Sequence, residues 1–291
     1  MMKQTKEIAA LLNLMDDPDK EVYYSVSKKI LSFGKEVVPN LENLWETTDN
    51  NLTQERAEML IHILHTSEVK KELMDWANNN PSDLIEALCI FNRYHFPDAD
   101  TTIIIQKIEK LRRNIWLELN SYLTPLEQIN VLTGFLFNFC SFKNEAIDYK
   151  KPGDFLLSKL LESKSGNAFI LAILLQILAT LNDISLHIIQ IPNQFILGYI
   201  RQFPTSIASV KNNIPIYVDG GSGQIYSHQH IETYFQKNNI ENALHYFTPL
   251  SNQQLIAWLI EEYANCFTKD ETRYKYTELM DLANDIRKTS L

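Results

Sequence analysis

The run 168–181 constrains this chain more than any other stretch, because it is apolar throughout except for Gln176 and Thr180. A helix that is apolar on every side offers no face to water and has to lie inside a protein or a bilayer. The run is shorter than the ~20 residues a membrane-spanning helix needs. It therefore predicts a buried central helix, opened by the glycine turn at Lys164-Ser165-Gly166-Asn167. After Leu181 the pattern changes from helix to strand. Segments 184–191, 194–200 and 214–218 are rich in β-branched and aromatic residues, with Pro192-Asn193 separating the first two. They predict three strands. Asp219-Gly220-Gly221-Ser222-Gly223 predicts a tight turn into a short return strand at Gln224-Ile225-Tyr226.

The rest of the chain has helical periodicity. Apolar residues recur every three to four positions through Leu11, Leu12 and Met15, then Val22, Val26 and Ile30, then Val37, Val38, Leu41 and Leu44. Breaks fall at Asp17-Pro18-Asp19, Phe33-Gly34 and Asp49-Asn50-Asn51. The spacing of Asp-Pro-Asp, Val22, Leu31, Gly34, Pro39 and Leu41 resembles one HEAT-type repeat, with 52–64 as the first helix of another. Fewer than three such units do not make an independent solenoid. The asparagine-rich stretch Asn78-Asn79-Asn80-Pro81-Ser82-Asp83 is the clearest break. It divides a HEAT-like helical block, 1–80, from a second domain, 81–291. Further helices are predicted over 84–94, 101–122, 125–139, 256–266 and 274–286, with another starting near Gln229. The expected fold class is α+β and predominantly helical, with helix above half of the residues.

A net charge of -9 argues against a nucleic-acid surface, since that affinity comes largely from lysine and arginine displacing counterions. The cluster Lys107, Lys110, Arg112 and Arg113 mixes with Glu109 and Glu118 and reads as a solvated helix face. Residues 1–14 carry no apolar run suited to export, and the expectation is a cytoplasmic protein without membrane contact. Cys89, Cys140 and Cys266 have no paired spacing that would suggest disulfides or zinc, and read as reduced packing residues. His228-Gln229-His230 puts two histidines in different directions at a helix start, so no metal is expected. Gly220-Gly221-Ser222-Gly223 lacks the lysine of a phosphate loop. No cofactor is expected.

Several stretches together carry a family resemblance. They are Tyr94-His95-Phe96-Pro97-Asp98-Ala99-Asp100, Asn130-Val131-Leu132, Cys140-Ser141-Phe142-Lys143-Asn144, Asp148-Tyr149 and the segment 154–162. Gly166-Asn167-Ala168 follows, in place of a Gly-x-Pro turn. Ile191-Pro192-Asn193-Gln194-Phe195 then stands in place of a Pro-Gly-His-Phe strand, and Ile216-Tyr217-Val218-Asp219 in place of a hydrophobic strand ending in aspartate. Over roughly its last two thirds the chain resembles the SirB-type transglutaminase-like proteins, of the transglutaminase and papain-like superfamily.

The resemblance implies a transglutaminase-like core with a small antiparallel sheet. It also implies that a cysteine, a histidine and an aspartate, where active, would meet at Ala168, Gln194 and Asp219. Alanine has no atom with which to attack, and glutamine takes no proton near neutral pH. No catalytic residues are expected, and the implied role is a pseudoenzyme: a non-enzymatic interaction, scaffold or regulatory protein with a protein partner. Two alternatives remain. One is a hydrolase or acyltransferase with a rearranged site near Asp219, drawing on His187, Ser165 or Cys140. The other is small-ligand binding in a relic cleft formed by Ser165, Asn167, His187, Asn193, Gln194 and Asp219.

Overall fold

The structure is a computed structural model that describes residues 2–290. It is mostly helical, at 65%, with small sheets. Two compact units are present, Met1–Glu72 and Leu73–Leu291.

The first unit is built from helices α1 (Met2–Leu12), α2 (Lys20–Leu31), α3 (Val38–Thr47) and the first part of α4 (Asn51–Asn79). Asp19 caps α2 by accepting from the Glu21 N–H at 2.8 Å, and Asn50 caps α4 by accepting from Leu52 N–H at 3.0 Å. The periodic apolar residues meet as predicted by their spacing: Met15, Ile30, Val37, Leu41, Ala57 and Leu60 are all buried. Arg56 ties the α1–α2 connection to α4 by donating to the carbonyls of Met15 and Asp17, at 2.7 and 2.8 Å. Its guanidinium lies over the Tyr23 ring, 4.1 Å from the centroid. The predicted helix 52–64 is longer than its apolar pattern suggested. It runs unbroken to Asn79, since nothing between Leu64 and Asn78 is a proline or a glycine.

The second unit opens with α5 (Leu84–His95), capped by Asp83, and α6 (Thr101–Glu118), capped by Asp100. Helix α6 stops short of the predicted Tyr122. Asn120 takes the Tyr122 N–H at 3.0 Å, and Thr124 with Glu127 forms a reciprocal cap that starts α7 (Pro125–Thr133) afresh. Residues 134–139 continue α7 as a wider π-turn rather than as α-helix. Two short strands that the sequence pattern did not signal, β1 (Lys143–Glu145) and β2 (Ser165–Asn167), pair in parallel on either side of α8 (Leu157–Ser163).

Next comes α9 (Ala168–Thr180), in which every residue from Phe169 to Ala179 is buried. Its one polar residue in that run, Gln176, accepts from the Ile188 backbone N–H at 2.7 Å and so joins the helix to the sheet. The sheet is a four-stranded antiparallel meander of β3 (Leu186–Ile189), β4 (Ile196–Tyr199), β5 (Ile216–Asp219) and β6 (Ile225–Ser227). Its strands match the predicted runs: β3 and β4 are trimmed by one or two residues at each end, and β5 and β6 start one or two residues later and end one residue later than predicted. Leu186 pairs with Tyr199, and Ile196 with Asp219. A short helix, α10 (Ile207–Asn213), which the sequence reading did not include, fills the β4–β5 connection.

Helix α11 (His228–Lys237) covers part of the sheet, where Ile231 and Phe235 pack with Ile189, Ile196, Ile214 and Tyr217. Helices α12 (Asn252–Ala264) and α13 (Arg273–Lys288) complete the unit and pack on each other. Arg287 on α13 donates both terminal nitrogens to the Glu261 carboxylate on α12.

Candidate functional site

The start of α9 is the point on which the sequence reading converges, and it is held on three sides. Asn167, 2% exposed, caps the helix: its side-chain oxygen accepts from the N–H groups of Phe169 and Ile170, each at 3.0 Å. Its amide nitrogen donates to the Asp154 carbonyl at 3.1 Å. Two of the N–H groups that a bare helix start offers to an anion are therefore already engaged.

The second side is the glycine turn after β5. A methyl group built on Gly221 would sit 3.0 Å from the Ala168 Cβ and 2.6 Å from the Asn144 side-chain nitrogen. One built on Gly220 would sit 2.4 Å from the Ala172 Cβ and 2.8 Å from the Phe195 carbonyl oxygen. Ala168 and Ala172 are four residues apart and share one face of α9. The turn lies directly on that face, and only glycine allows so close an approach. The Gly220 N–H donates to the Phe195 carbonyl at 2.8 Å, fixing the turn to the start of β4.

The third side is β1, where Asn144 lies opposite Gly166 in register. Ser165, half-buried on β2, donates its hydroxyl to the Glu145 carboxylate.

The Asp219 carboxylate bonds into its own turn. Its Oδ1 accepts from Gly221 N–H at 3.1 Å, Ser222 N–H at 2.7 Å and the Ser222 hydroxyl at 2.7 Å. Gln194 lines a cavity together with Tyr226, His230 and Tyr234. No hydrogen bond joins Gln194 to Asp219 among the described residues. Asn193, exposed, takes a left-handed backbone conformation, φ 58°, in the turn before β4. His187 lies on β3, opposite Gly198 of β4. The strand order β3-β4-β5 leaves a whole strand between His187 and Asp219, about 9–10 Å across the sheet. Burial lowers the proton affinity of His187, whose ring has one long contact, 3.5 Å, to the Ser185 hydroxyl.

The thiols offer no activated nucleophile. Burial, with Asp83 and Glu86 adding to it, pushes Cys89 up to about 11, and burial with Asp148, Asp154 and Glu262 pushes Cys266 up to about 12. Burial also raises Cys140, against a smaller opposing pull from Lys164.

The two histidines read together in the sequence have separate environments. His228 is buried, with Nδ1 2.9 Å from the Tyr217 hydroxyl and Nε2 3.4 Å from Glu232. His230 is exposed and accepts the Ser227 backbone N–H at Nδ1, 3.1 Å away. Among the described residues no three His, Cys, Asp or Glu side chains form a group that could hold a metal ion. No helix of the described residues is long and apolar enough to cross a membrane.

Asn144 stands in the sequence only as the last residue of Cys140-Ser141-Phe142-Lys143-Asn144, and nothing local signals its approach to the glycine turn. The grouping of Tyr226, His230 and Tyr234 around Gln194 has no signal in the sequence, since they come together only when α11 folds over the sheet.

A family model described as the transglutaminase-like superfamily matches residues 103–261, more than half of the chain and a span that includes Ala168, Gln194 and Asp219. No curated protein and no solved structure matches the chain.

Proposed function

Because the chain belongs to the transglutaminase-like superfamily, we propose that it is a catalytically degenerate member, of the SirB-type branch, that acts by binding and not by making or breaking bonds. The observation that carries this reading is Ala168. A methyl group stands at the head of α9, where the superfamily's nucleophile is implied, and the backbone of Gly221 lies against it. Three further features support it. Gln194 replaces the base, the Asp219 carboxylate is turned into its own loop, and burial holds all three thiols in the protonated form.

The binding role falls to a protein partner. The helical first unit supports this assignment by displaying large apolar side chains to solvent, with Tyr24 68% and Trp45 46% exposed. Its HEAT-like spacing fits such a surface.

Acyl transfer from a glutaminyl peptide to a fluorescent amine, and hydrolysis of a p-nitrophenyl ester, test the catalytic half. The purified chain is expected to turn over neither. Turnover by the parent chain that disappears in Asp219→Asn overturns the reading. For the partner, affinity capture with the full chain is compared with capture by a Tyr24→Ser, Trp45→Ser double variant. A specific partner lost in the double variant supports the assignment, and undiminished capture removes it.

A further inference from the structure

A cavity of about 560 Å³ opens between the sheet and α11, within the 300–1,000 Å³ usual for small-molecule sites. We propose that it binds a small carboxylic acid with an aromatic or branched apolar body. This inference goes beyond the reading above and holds whether or not α9 carries chemistry.

The body of the ligand is set by the apolar walls. Ile196 and Ile231 are buried beneath the cavity. Two tyrosine rings flank it, each anchored through its hydroxyl: Tyr234 donates to the Pro192 carbonyl at 2.9 Å, and Tyr226 donates to the Gln224 side-chain oxygen at 3.0 Å. With their hydroxyls engaged, the rings have their apolar surface left for a ligand.

The charge of the ligand is set by the donors. Lys237, in the last turn of α11, lines the cavity, and no aspartate or glutamate does, in a chain whose net charge is -9. Among the described residues Lys237 has no ion-pair partner. His230 supplies a second donor. The Ser227 N–H donates to its Nδ1, so that nitrogen carries the lone pair and Nε2 carries the proton. Asp219 acts on the Tyr226 hydroxyl from outside the lining, with its Oδ1 already accepting three bonds. One ammonium, with the His230 N–H and the Gln194 and Gln229 amides as neutral donors, matches a single carboxylate. A phosphate dianion would call for more positive charge, and the nearest helix start, that of α11, is already closed by the Ser227 and His230 cap.

Titration calorimetry on the full chain tests this with 3-phenylpropionate, its uncharged amide 3-phenylpropionamide, and inorganic phosphate. The acid should bind with a Kd of order 0.1–1 mM, which a ligand of that size permits. The amide should bind at least tenfold more weakly. Lys237→Gln should weaken the acid by at least tenfold and leave the amide unchanged, and His230→Phe should weaken the acid by several-fold. Both side chains are exposed, so neither variant removes a core contact; His230→Phe also removes the acceptor that caps α11, so the decisive comparison is Lys237→Gln on the acid against the amide. Equal affinity for acid and amide, no effect of Lys237→Gln, or no heat with the acid at several millimolar overturns the proposal. Phosphate binding as tightly as the acid overturns it in favour of a phosphate site.

Discussion

Replacing Gly220 with alanine tests the central packing claim directly. The added methyl would fall 2.4 Å from the Ala172 Cβ, 2.8 Å from the Phe195 carbonyl oxygen and 3.0 Å from the Ala172 Cα. Two of those three atoms are backbone and have no rotamer by which to escape. Helix α9 is buried from Phe169 to Ala179 and has no solvent side into which to retreat. The turn must therefore lift, at the ~1–3 kcal/mol typical of overpacking. Lifting also stretches the 2.8 Å bond from Gly220 N–H to Phe195, worth about 1 kcal/mol. A total of about 2–4 kcal/mol lowers Tm by about 4–16 °C for a unit of this size. Gly221→Ala is the milder comparison, because its closest clash, at 2.6 Å, is with the amide end of exposed Asn144, which can swing aside and leave only the 3.0 Å contact with the Ala168 Cβ. It should cost about 1 kcal/mol, less than Gly220→Ala. Urea unfolding followed by tryptophan fluorescence reads both variants. Trp258 lies 4.5 Å from the Phe169 ring and 5.3 Å from the Phe195 ring, close to the affected contact. A Gly220→Ala protein within 0.5 kcal/mol of the parent, or a Gly221→Ala protein less stable than Gly220→Ala, would refute the placement of the turn on α9.

Asn167→Ala removes a buried cap that takes two N–H groups, and should cost about 1–3 kcal/mol in a urea melt, where a loss below 0.5 kcal/mol would count against the cap. Burial lowers the proton affinity of His95, His187 and His228, with Lys275 adding to the effect at His95 and Glu232 opposing it at His228. Their folded pKa values lie below the ordinary ~6.5, so the unfolded chain binds more protons as pH falls, and the stability they contribute is full above ~6.5 and lost below it. Tm should decline from pH 6.5 to 5 and decline less in His187→Gln; a Tm that rises over that interval in the parent contradicts the assignment. Arg287→Met breaks the bidentate pair with Glu261 between α12 and α13 at a site 43% exposed for the arginine, and a cost of about 1 kcal/mol is expected by thermal melting.

Much of the architecture was legible because it rests on local pattern. The apolar run that became α9, the β-branched and aromatic runs that became β3 to β5, and the caps at Asp19 and Asn50 all announce themselves within a few residues. Strands β1 and β2 did not, because three residues each, Lys-Asn-Glu and Ser-Gly-Asn, carry no alternation and exist only by pairing with each other across α8. The predicted end of α6 lies too far along because the asparagine at 120 and the reciprocal cap of Thr124 with Glu127 outweigh apolar periodicity that continues past them, whereas the helix predicted over 125–139 keeps both ends and only widens to π geometry from Gly134. At the site, the residue types at 168, 194 and 219 could be read directly. That Gly220 and Gly221 would lie on the alanine face of α9 could not, since that contact joins residues about fifty positions apart.

Gln176 has one more consequence. A helix buried on all sides is held in place by attraction that is nearly the same at any rotation about its own axis, so apolar contact alone leaves its setting loosely defined. A single amide accepting from the Ile188 N–H removes that freedom, because any other setting would strand two polar groups in an apolar interior at about 1–3 kcal/mol each. Uniqueness of the native state and strength of its core are thereby assigned to different atoms of the same helix. Gln176→Leu should separate them: helical content by far-UV circular dichroism is expected to persist while the near-UV signal of the aromatic cluster around Trp258 weakens, and an unchanged near-UV spectrum would show that packing alone sets the rotation.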